Sequence, residues 1–426
     1  MVDADFLLTG IGQLCTMAPE GAGEGPLAGP FQGRVGAIDG AAVAAYRGRL
    51  VAVGKEEEVL ARVRVLPRAT VLHARGRLVT PGMVDSHTHL CFAGWRAEEF
   101  SLRVQGADYL EILQKGGGIL QTVQATRRAS EEELVVTLKE RALQALRQGV
   151  TTIEVKSGYG LSWEAERKQL RAIRRVKEEL RGRMDVVATF LGAHAVPPEY
   201  RGKGSEYARK VAEEMVPRVA AEGWADFVDV FCEKGVFSVD ESRLILEAAA
   251  KEGLGRKIHA DEVHPLGGTR LAAEVGAVSA DHLVATTRED MALLREAGVV
   301  ACLLPATSFF LMKEAHAPAR TFIDEGVPVA LATDMNPGTQ PNPSLLATMT
   351  LGCLLYRMTP EEVLVAVTRN AAAALGFLQD RGSVEEGKKA DLVIWDCPTY
   401  HHLPYRWGVN LAAVVIKEGQ VVVDEG

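Results

Sequence analysis

The stretch PGMVDSHTH, residues 81–89, begins with a Pro-Gly turn, continues as a short apolar run and ends on two histidines. In an extended chain residues i and i+2 point to the same side, so His87 and His89 face the same way. From residue 80 to 383 one theme recurs: a short apolar run, a polar or glycine-bearing loop, and an amphipathic segment of helical period. This alternation predicts strands followed by helices, with residues 81–89 carrying the first strand.

Eight such apolar runs predict eight strands, and the chain between them predicts helices. Eight parallel strands alternating with helices are typical of a (β/α)₈ TIM-like barrel, whose functional groups project from the C-terminal strand ends. A doubly wound open sheet is the alternative, but no glycine-rich phosphate loop follows an early strand. The predicted strands are 83–85, 151–155, 186–191, 227–231, 257–260, 279–283, 299–304 and 329–332.

Three predicted helices begin with a capping box, in which a Ser or Thr side chain and a Glu three residues later satisfy the first free N–H groups. Pro360 stands at the first helical position of one of them, where its missing N–H is harmless. The three pairs are Ser130 with Glu133, Ser238 with Glu241, and Thr359 with Glu362.

The two chain ends have a different pattern from the barrel. Residues 1–79 and 384–426 consist of short β-type runs separated by Gly and Asp turns. We expect them to form one composite β-sandwich domain beside a hydrolase barrel at 80–383. The Gly- and Pro-rich residues 19–36 predict a loop or a flexible insertion in that domain.

Composition excludes several classes of protein. Of 426 residues, 47% are hydrophobic and 24% are charged, which excludes a disordered chain. The net charge of −8 argues against a nucleic-acid partner. The apolar residues 299–312 are interrupted by Pro305 and are too short to cross a membrane. The six scattered cysteines form no CxxC pair and, with no basic start to the chain, favour a cytoplasmic location.

Three further residues of the kind that bind metals follow predicted strands. His259 follows the fifth strand, His282 the sixth and Asp334 the eighth. Each alone has an ordinary structural explanation, since a lone histidine is usually hydrogen-bonded in place and Asp334 could form a turn. Together with His87 and His89 they occupy the barrel end where chemistry takes place, and they predict a metal site.

This combination resembles the amidohydrolase superfamily, and longer motifs narrow the resemblance to its imidazolonepropionase family. The resemblance covers nearly the whole chain, and the motifs around residues 156–160 and 259–262 are its most specific parts. The motifs are Arg96 with Glu99-Phe100, TTIEVKSGYG at 151–160, GAH at 192–194, HADE at 259–262 and TDMNPG at 333–338.

The resemblance implies one divalent metal ion, Zn²⁺ or Fe²⁺, since three histidines and a carboxylate suit both. Its ligands would be His87, His89, His259 and Asp334, with His282 beside them.

Some relatives bridge two metals through a carboxylated lysine on the fourth strand, but Lys156 lies on the second. Cys232 and Glu233 lie at the fourth strand end, and they are the residues that could overturn the single-metal interpretation.

The resemblance also implies the substrate, 4-imidazolone-5-propanoate, a small anion whose cyclic amide is opened to N-formimidoyl-L-glutamate. Asp334 would accept the water proton, His282 would stabilise the oxyanion, and Glu262 would relay protons to the leaving nitrogen. A homodimer is the default assembly. The implied substrate-binding residues are Arg96, Tyr159, His194, Glu262, Asn336, Gly338 and Thr339.

Alternatives stay open at this point. Arg96 could form a surface ion pair, and Tyr159 could be an ordinary buried tyrosine. A cytosine- or guanine-type deaminase would use the same metal ligands with a different pocket. A non-enzymatic barrel would have no need of all four ligands.

Overall fold

The computed structural model describes residues 1–106 and 117–425. Within them the strands form two sheets of eight strands each. The N-terminal strands are β1 Val2–Cys15, β2 Ala37–Tyr46, β3 Arg49–Lys55, β4 Val63–His73 and β5 Leu78–Pro81. The barrel strands are β6 Met83–Asp85, β7 Val150–Lys156, β8 Asp185–Ala193, β9 Phe227–Cys232, β10 Gly255–Ala260, β11 Ser279–His282, β12 Val300–Leu303 and β13 Val329–Leu331. The last three are β14 Leu392–Trp395, β15 Ala412–Lys417 and β16 Gln420–Asp424.

The second sheet is a parallel barrel in which β6 to β13 pair in chain order. Its first and last strands meet beyond their ends, where Asp334 N donates to His87 O at 3.0 Å and His89 N donates to Met335 O at 2.9 Å. All eight predicted strands are present, and the barrel prediction is confirmed. The closing contacts involve the predicted metal ligands, so closure of the barrel itself brings the first and eighth strand ends together.

Helices surround the barrel, and all three predicted capping boxes are formed. The α-helices are Glu56–Arg62, Ala97–Val104, Ile119–Arg128, Glu131–Leu146, Trp163–Glu179, Gly204–Lys210, Val216–Glu222, Val239–Lys251, Gly268–Glu274, Arg288–Ala297, Pro305–Phe310, Ala319–Asp324, Leu345–Tyr356, Pro360–Ala366, Arg369–Ala373 and His402–Tyr405. Gly29–Phe31 and Pro198–Tyr200 are 3₁₀ turns, and Val211–Met215 is a π turn.

Strand β7 shows how the barrel separates apolar from charged side chains. Every residue of Val150–Lys156 is buried. Ile153 and Val155 join the apolar cluster shared with the surrounding helices. Glu154 and Lys156, at the alternate positions, form an ion pair with each other and with Lys257 and Asp229 from other strands. The period of two therefore places charge inside the barrel and apolar groups outside it.

The two chain ends form one β-domain, as predicted. The order of its sheet is β16-β15-β14-β5-β1-β2-β3, and β4 also pairs with β1. The long strand β1 pairs in parallel with two strands in succession. Its first half pairs with β4, and its last residues pair with β5. Strand β14 reaches this sheet by pairing antiparallel with β5. The domain boundaries at 79/80 and 383/384 stay a prediction.

Residues 19–36 form a loop, and buried polar side chains fix its course. Arg369 donates to the carbonyls of Met17 and Gly25, and Asn370 both donates to and accepts from the Leu27 backbone. Gln32 makes the same two-way contact with Val329 at the start of β13. The loop prediction is confirmed, and hydrogen bonds tie the loop to the N-terminal end of the barrel.

A cluster of charges joins the β-domain to the barrel at Asp185, the first residue of β8. Its Oδ2 lies 2.6 Å from Lys417 Nζ, 2.7 Å from Arg381 Nη1 and 3.1 Å from Lys389 Nζ. Burial alone would raise the pKa of Asp185, but Lys417 and Arg381 outweigh it and lower the pKa to about 2. The folded state therefore favours the ionised carboxylate.

We expect this contribution to stability to be complete above the unfolded pKa of about 3.9 and to disappear as the pH falls towards 2. Asp185→Asn should lower the free energy of unfolding at pH 7 by about 2 kcal/mol and flatten its fall between pH 4 and 2. Urea unfolding at several pH values measures both effects. Asp3→Asn, which removes an exposed pair with Arg64, is the control and should cost less than about 0.5 kcal/mol. Equal losses in the two variants would contradict the prediction.

Candidate metal centre and active site

Three imidazoles and one carboxylate converge at the C-terminal end of the barrel. His89 Nε2 lies 3.2 Å from His87 Nε2 and 3.3 Å from His259 Nε2. Asp334 Oδ1 lies 3.3 Å from His89 Nε2 and 3.5 Å from His87 Nε2. All four side chains are buried. The barrel therefore gathers the four predicted ligands from strand ends that are up to 247 residues apart in the sequence.

Carboxylates lie behind two of the histidines, against the Nδ1 atom that faces away from the centre. His87 Nδ1 lies 2.6 Å from Asp281 Oδ2, and His259 Nδ1 lies 3.0 Å from Asp229 Oδ2. The hydrogen bond to Asp281 assigns the His87 proton to Nδ1, so that its Nε2 presents a lone pair, whereas His259 Nδ1 meets Asp229 as a close charge contact outside hydrogen-bond geometry. Burial, then the charge of Lys156, lowers the pKa of His87 to about 3. A neutral imidazole whose Nε2 lone pair faces the centre suits a metal ligand.

The arrangement fits a metal ion. Lone pairs on neighbouring Nε2 atoms repel one another unless a cation lies between them. Ligand bonds of about 2.0–2.1 Å in tetrahedral geometry put ligand atoms about 3.3 Å apart. The observed separations of 3.2, 3.3, 3.3 and 3.5 Å agree with that spacing. The donor set thus fits a single divalent ion.

Two further histidines stand beside this centre. Ring nitrogens of His282 lie within ligand reach of His87 and His259, and those of His194 within reach of His89 and His259. His282 Nδ1 is 3.6 Å from Glu262 Oε2, and His194 Nδ1 is 3.1 Å from the Gly158 carbonyl. The structure therefore brings His282 and Glu262 together, as the sequence predicted for a pair that handles charge and protons.

The backbone is strained where it presents these groups. The φ angles of Asp334 and His282 are +53° and +78°, and that of Asp261, just before Glu262, is +48°. Left-handed backbone costs a non-glycine residue roughly 1–3 kcal/mol and clusters at functional sites. Asp261 offsets that cost by accepting hydrogen bonds from the backbone N–H groups of Leu266 and residues 267–269.

Arg96 lies in the loop above the first strand, as predicted, but two of its guanidinium nitrogens already donate hydrogen bonds within the protein. Nε and Nη2 donate to the two carboxylate oxygens of Glu99 at 2.8 and 2.7 Å. The remaining Nη1 faces Gly338, where a Cβ would come within 2.1 Å of it. Glu99 also accepts from Gly118 N at 2.7 Å. The pair therefore fixes the guanidinium, and within residues 1–106 and 117–425 Nη1 is the nitrogen that Glu99 does not engage.

The other predicted pocket residues lie around the same centre. Tyr159 is buried, with its ring centroid 5.3 Å from that of His194. Asn336 holds the last loop, because its Oδ1 accepts from the N–H groups of Gly338 and Thr339 and its Nδ2 donates to Thr339 Oγ1. Asn336 and Thr339 therefore have contacts that shape the loop whether or not they touch a ligand.

Two of the residues that could have indicated a second metal, Lys156 and Glu233, make other contacts. Lys156 Nζ donates to Asp229 and Glu154. Glu233 turns to the next loop, where it accepts from Val263 N at 2.9 Å and lies 2.8 Å from His264 Nδ1.

Three residues that touch the predicted ligands were not predicted from the sequence: Asp229, Asp281 and Thr307, whose Oγ1 donates to Asp334 Oδ2 at 2.6 Å. For Asp229 a signal existed, since an acid in the centre of the apolar run FVDVFC, residues 227–232, is unusual for a buried strand. For Asp281 the signal was its position next to His282. Thr307 gave no signal.

Comparisons with known proteins agree with this geometry. The model of the amidohydrolase family matches residues 78–423. Imidazolonepropionase of Symbiobacterium thermophilum is 52% identical over 427 residues, covering 100% of this chain and 99% of that protein. The Geobacillus kaustophilus enzyme of the same name is 50% identical and covers 97% of each chain.

The chain belongs to the imidazolonepropionase family of the amidohydrolases. Identity at this level over the whole length extends the sequence resemblance from motifs to the entire fold, and it makes the chain a hydrolase. A solved adenosine deaminase of Xanthomonas campestris with bound zinc has a TM-score of 0.72 at 18% identity, covering 100% of this chain and 94% of that one. That likeness supports the barrel fold alone. No helix in residues 1–106 and 117–425 is long and apolar enough to cross a membrane.

Proposed function

We propose that this protein hydrolyses 4-imidazolone-5-propanoate to N-formimidoyl-L-glutamate. The observation that carries the proposal is the full-length identity of 52% and 50% to proteins named imidazolonepropionase. The converging His87, His89, His259 and Asp334 supply the chemistry that such a reaction needs. One divalent ion, Zn²⁺ or Fe²⁺, would be held by these four residues.

Asp334 is suited to accept the proton of the attacking water. A divalent ion held by His87, His89, His259 and Asp334 would polarise the substrate carbonyl and lower the pKa of a water molecule towards neutrality. Burial would raise the pKa of Asp334, but the neighbouring His87 and His89 side chains hold it well below its ordinary value, so the carboxylate is ionised and carries no proton of its own. Its Oδ2 accepts from Thr307, which fixes the carboxylate.

His282 and Glu262 complete the proposed reaction. As water adds to the amide carbon, His282 stabilises the negative charge on the former carbonyl oxygen. The ring C–N bond then breaks, and the proton that Asp334 took from water passes through Glu262, 3.6 Å from His282 Nδ1, to the departing nitrogen. The oxygen atom of the water ends in the new carboxylate, and one of its protons ends on the departing nitrogen.

The proposed pocket surrounds the substrate ring with polar groups and holds its propanoate by positive charge. Arg96 binds the carboxylate, and the proposal also keeps a cytoplasmic location and a homodimer as predictions. The proposed substrate-binding residues are Arg96, Tyr159, His194, Glu262, Asn336, Gly338 and Thr339.

The test is the loss of ultraviolet absorbance of freshly made imidazolone propanoate with purified protein of known metal content. We expect turnover to require about one metal ion per chain and to yield formimidoyl-glutamate. Cytosine and guanine are each tested separately as alternative substrates. Turnover of those bases without turnover of the imidazolone would overturn the proposal in favour of a deaminase.

Arg96→Gln is expected to reduce kcat/KM by about 10- to 150-fold, since a charge-assisted hydrogen bond contributes roughly 1.5–3 kcal/mol. The propanoate is remote from the cleaved amide, so most of the loss should fall on KM. Arg96→Lys should rescue only partly, because lysine keeps the charge but cannot hold Glu99 through two parallel bonds.

The control is Arg64→Gln, which removes an exposed arginine of the β-domain and should leave the kinetics unchanged. Steady-state kinetics on the substrate and on an analogue without the carboxylate separate the two roles of Arg96. Equal weakening of both compounds would make Arg96 purely structural.

A further inference from the structure

A layer of buried charge lies directly beneath the metal centre. Its side chains come from the second, fourth, fifth and sixth barrel strands, and all are fully excluded from solvent. Such a layer is costly, because each ion loses several kcal/mol of hydration. The layer consists of Glu154, Lys156, Asp229, Lys257 and Asp281.

Two of the carboxylates in this layer face metal ligands from behind. Asp281 on β11 contacts His87, which follows β6, at 2.6 Å. Asp229 on β9 contacts His259 on β10 at 3.0 Å. His89 differs, because no carboxylate of the described residues lies within ion-pair distance of its Nδ1; the Nδ1 atoms of His89 and His259 both lack a partner in hydrogen-bond geometry. His87 and His259 therefore each contact a carboxylate on another strand, whereas His89 does not contact a carboxylate of this layer.

The two carboxylates are themselves held in place. Asp281 Oδ1 accepts from Ser279 Oγ at 2.6 Å, and Asp229 Oδ1 accepts from Val230 N at 2.7 Å. Lys156 Nζ lies between them, 2.8 Å from Asp229 Oδ2 and 3.9 Å from Asp281 Oδ2. The ammonium group of Lys156 therefore lies within ion-pair distance of both carboxylates.

Lys257 links the same layer to the first strand. Its Nζ donates to the Ser86 carbonyl at 2.8 Å and lies 3.8 Å from Asp281 Oδ2. Ser86 immediately precedes His87, so the backbone and the ring of that ligand are held by neighbouring groups.

We propose that Asp229 and Asp281 are positioning residues of the metal centre: they fix the rings of His259 and His87 with Nε2 towards the ion, and Lys156 braces both carboxylates. The inference rests on the metal centre proposed above. Loss of the negative charge and loss of the ring's partner both weaken the binding of a cation, so the two effects act in the same direction. Groups in this position typically change metal affinity by 10- to 100-fold.

The experiment measures Zn²⁺ affinity by competition with a chelator, on wild-type protein and on Asp281→Asn and Asp229→Asn. We expect each variant to bind Zn²⁺ about 10- to 100-fold more weakly. The visible absorption spectrum of the Co²⁺-loaded protein should also change, because it reports the ligand geometry. Asp281→Leu should lose more affinity than Asp281→Asn, since the amide oxygen can still accept from His87 Nδ1.

The matched control is Asp391→Asn. Asp391 is also buried and pairs with a fully buried lysine, Lys417, but at the opposite end of the barrel. It should lose stability while its Zn²⁺ affinity stays within about twofold of wild type and its Co²⁺ spectrum is unchanged, because additivity holds for distant sites. If Asp281→Asn does not fold, Ser279→Ala removes only one hydroxyl contact to Asp281 and should weaken Zn²⁺ binding about threefold, which corresponds to roughly 0.6 kcal/mol at RT near 0.59 kcal/mol.

The outcomes separate the two proposals. Wild-type protein that binds no Zn²⁺ would contradict the proposed metal centre. Wild-type binding together with unchanged affinity and spectrum in Asp281→Asn and Asp229→Asn would overturn only the positioning role. Equal loss in Asp391→Asn would also overturn it, by showing general loosening of the barrel.

Discussion

His259→Ala is expected to lose bound metal and activity together while the barrel stays folded. The ring supplies one of four converging donors, and its Nε2 lies 3.3 Å from His89 Nε2. Without it the remaining donors leave the ion under-coordinated, and kcat/KM should fall by at least about 10³-fold. The fold should persist, because Asp229 keeps its 2.8 Å contact with Lys156. Elemental analysis, steady-state kinetics and circular dichroism measure the three quantities.

The control for His259→Ala is His401→Ala. The His401 side chain is 59% exposed and lies 3.7 Å from Glu361, away from the barrel mouth. Its removal should leave metal content and turnover at the wild-type level. A His259→Ala protein with full metal occupancy and normal turnover would remove His259 from the ligand set.

His282→Ala is expected to lower kcat and kcat/KM about equally, by roughly 10² or more, with the metal retained. An interaction made only in the transition state affects both constants alike. The backbone of His282 has a φ of +78°, a conformation that asparagine tolerates better than alanine. His282→Asn therefore separates loss of the imidazole from strain, and its amide donor should restore part of the rate.

Metal content determines how the result for His282 is interpreted. Ring nitrogens of His282 lie within ligand reach of His87 and His259. Retention of metal in both variants supports a role in stabilising the oxyanion. Loss of metal in both would instead make His282 a ligand and move the proposed oxyanion role to another group.

The barrel was predictable because its signals are local. Short apolar runs and capping boxes such as Ser130 with Glu133 depend on neighbouring residues, and each appears where the pattern placed it. The loop at 19–36 was predicted as well. Its attachment through Arg369 and Asn370 was not, because those partners lie more than 340 residues away in the sequence.

At the centre, residue type and strand-end position were enough to select His87, His89, His259 and Asp334 for one cluster. The pairing of Arg96 with Glu99 is a local i,i+3 contact, yet a surface ion pair and a substrate anchor leave the same sequence pattern. Only the packed loop shows that two of the guanidinium donors are already used and that Gly338 lies against the third.

The sequence by itself determined the order of the barrel strands, the composite β-domain and the residues that meet at the strand ends, because periodicity and chain order fix all three. The tertiary structure alone decided what stands behind those residues. Asp229 reaches His259 from the neighbouring strand and Asp281 reaches His87 from a non-adjacent strand, and their partners Lys156 and Lys257 come from different strands. The physical reason is that interior contacts depend on the strand tilt and register of the closed barrel, which no single stretch of chain encodes.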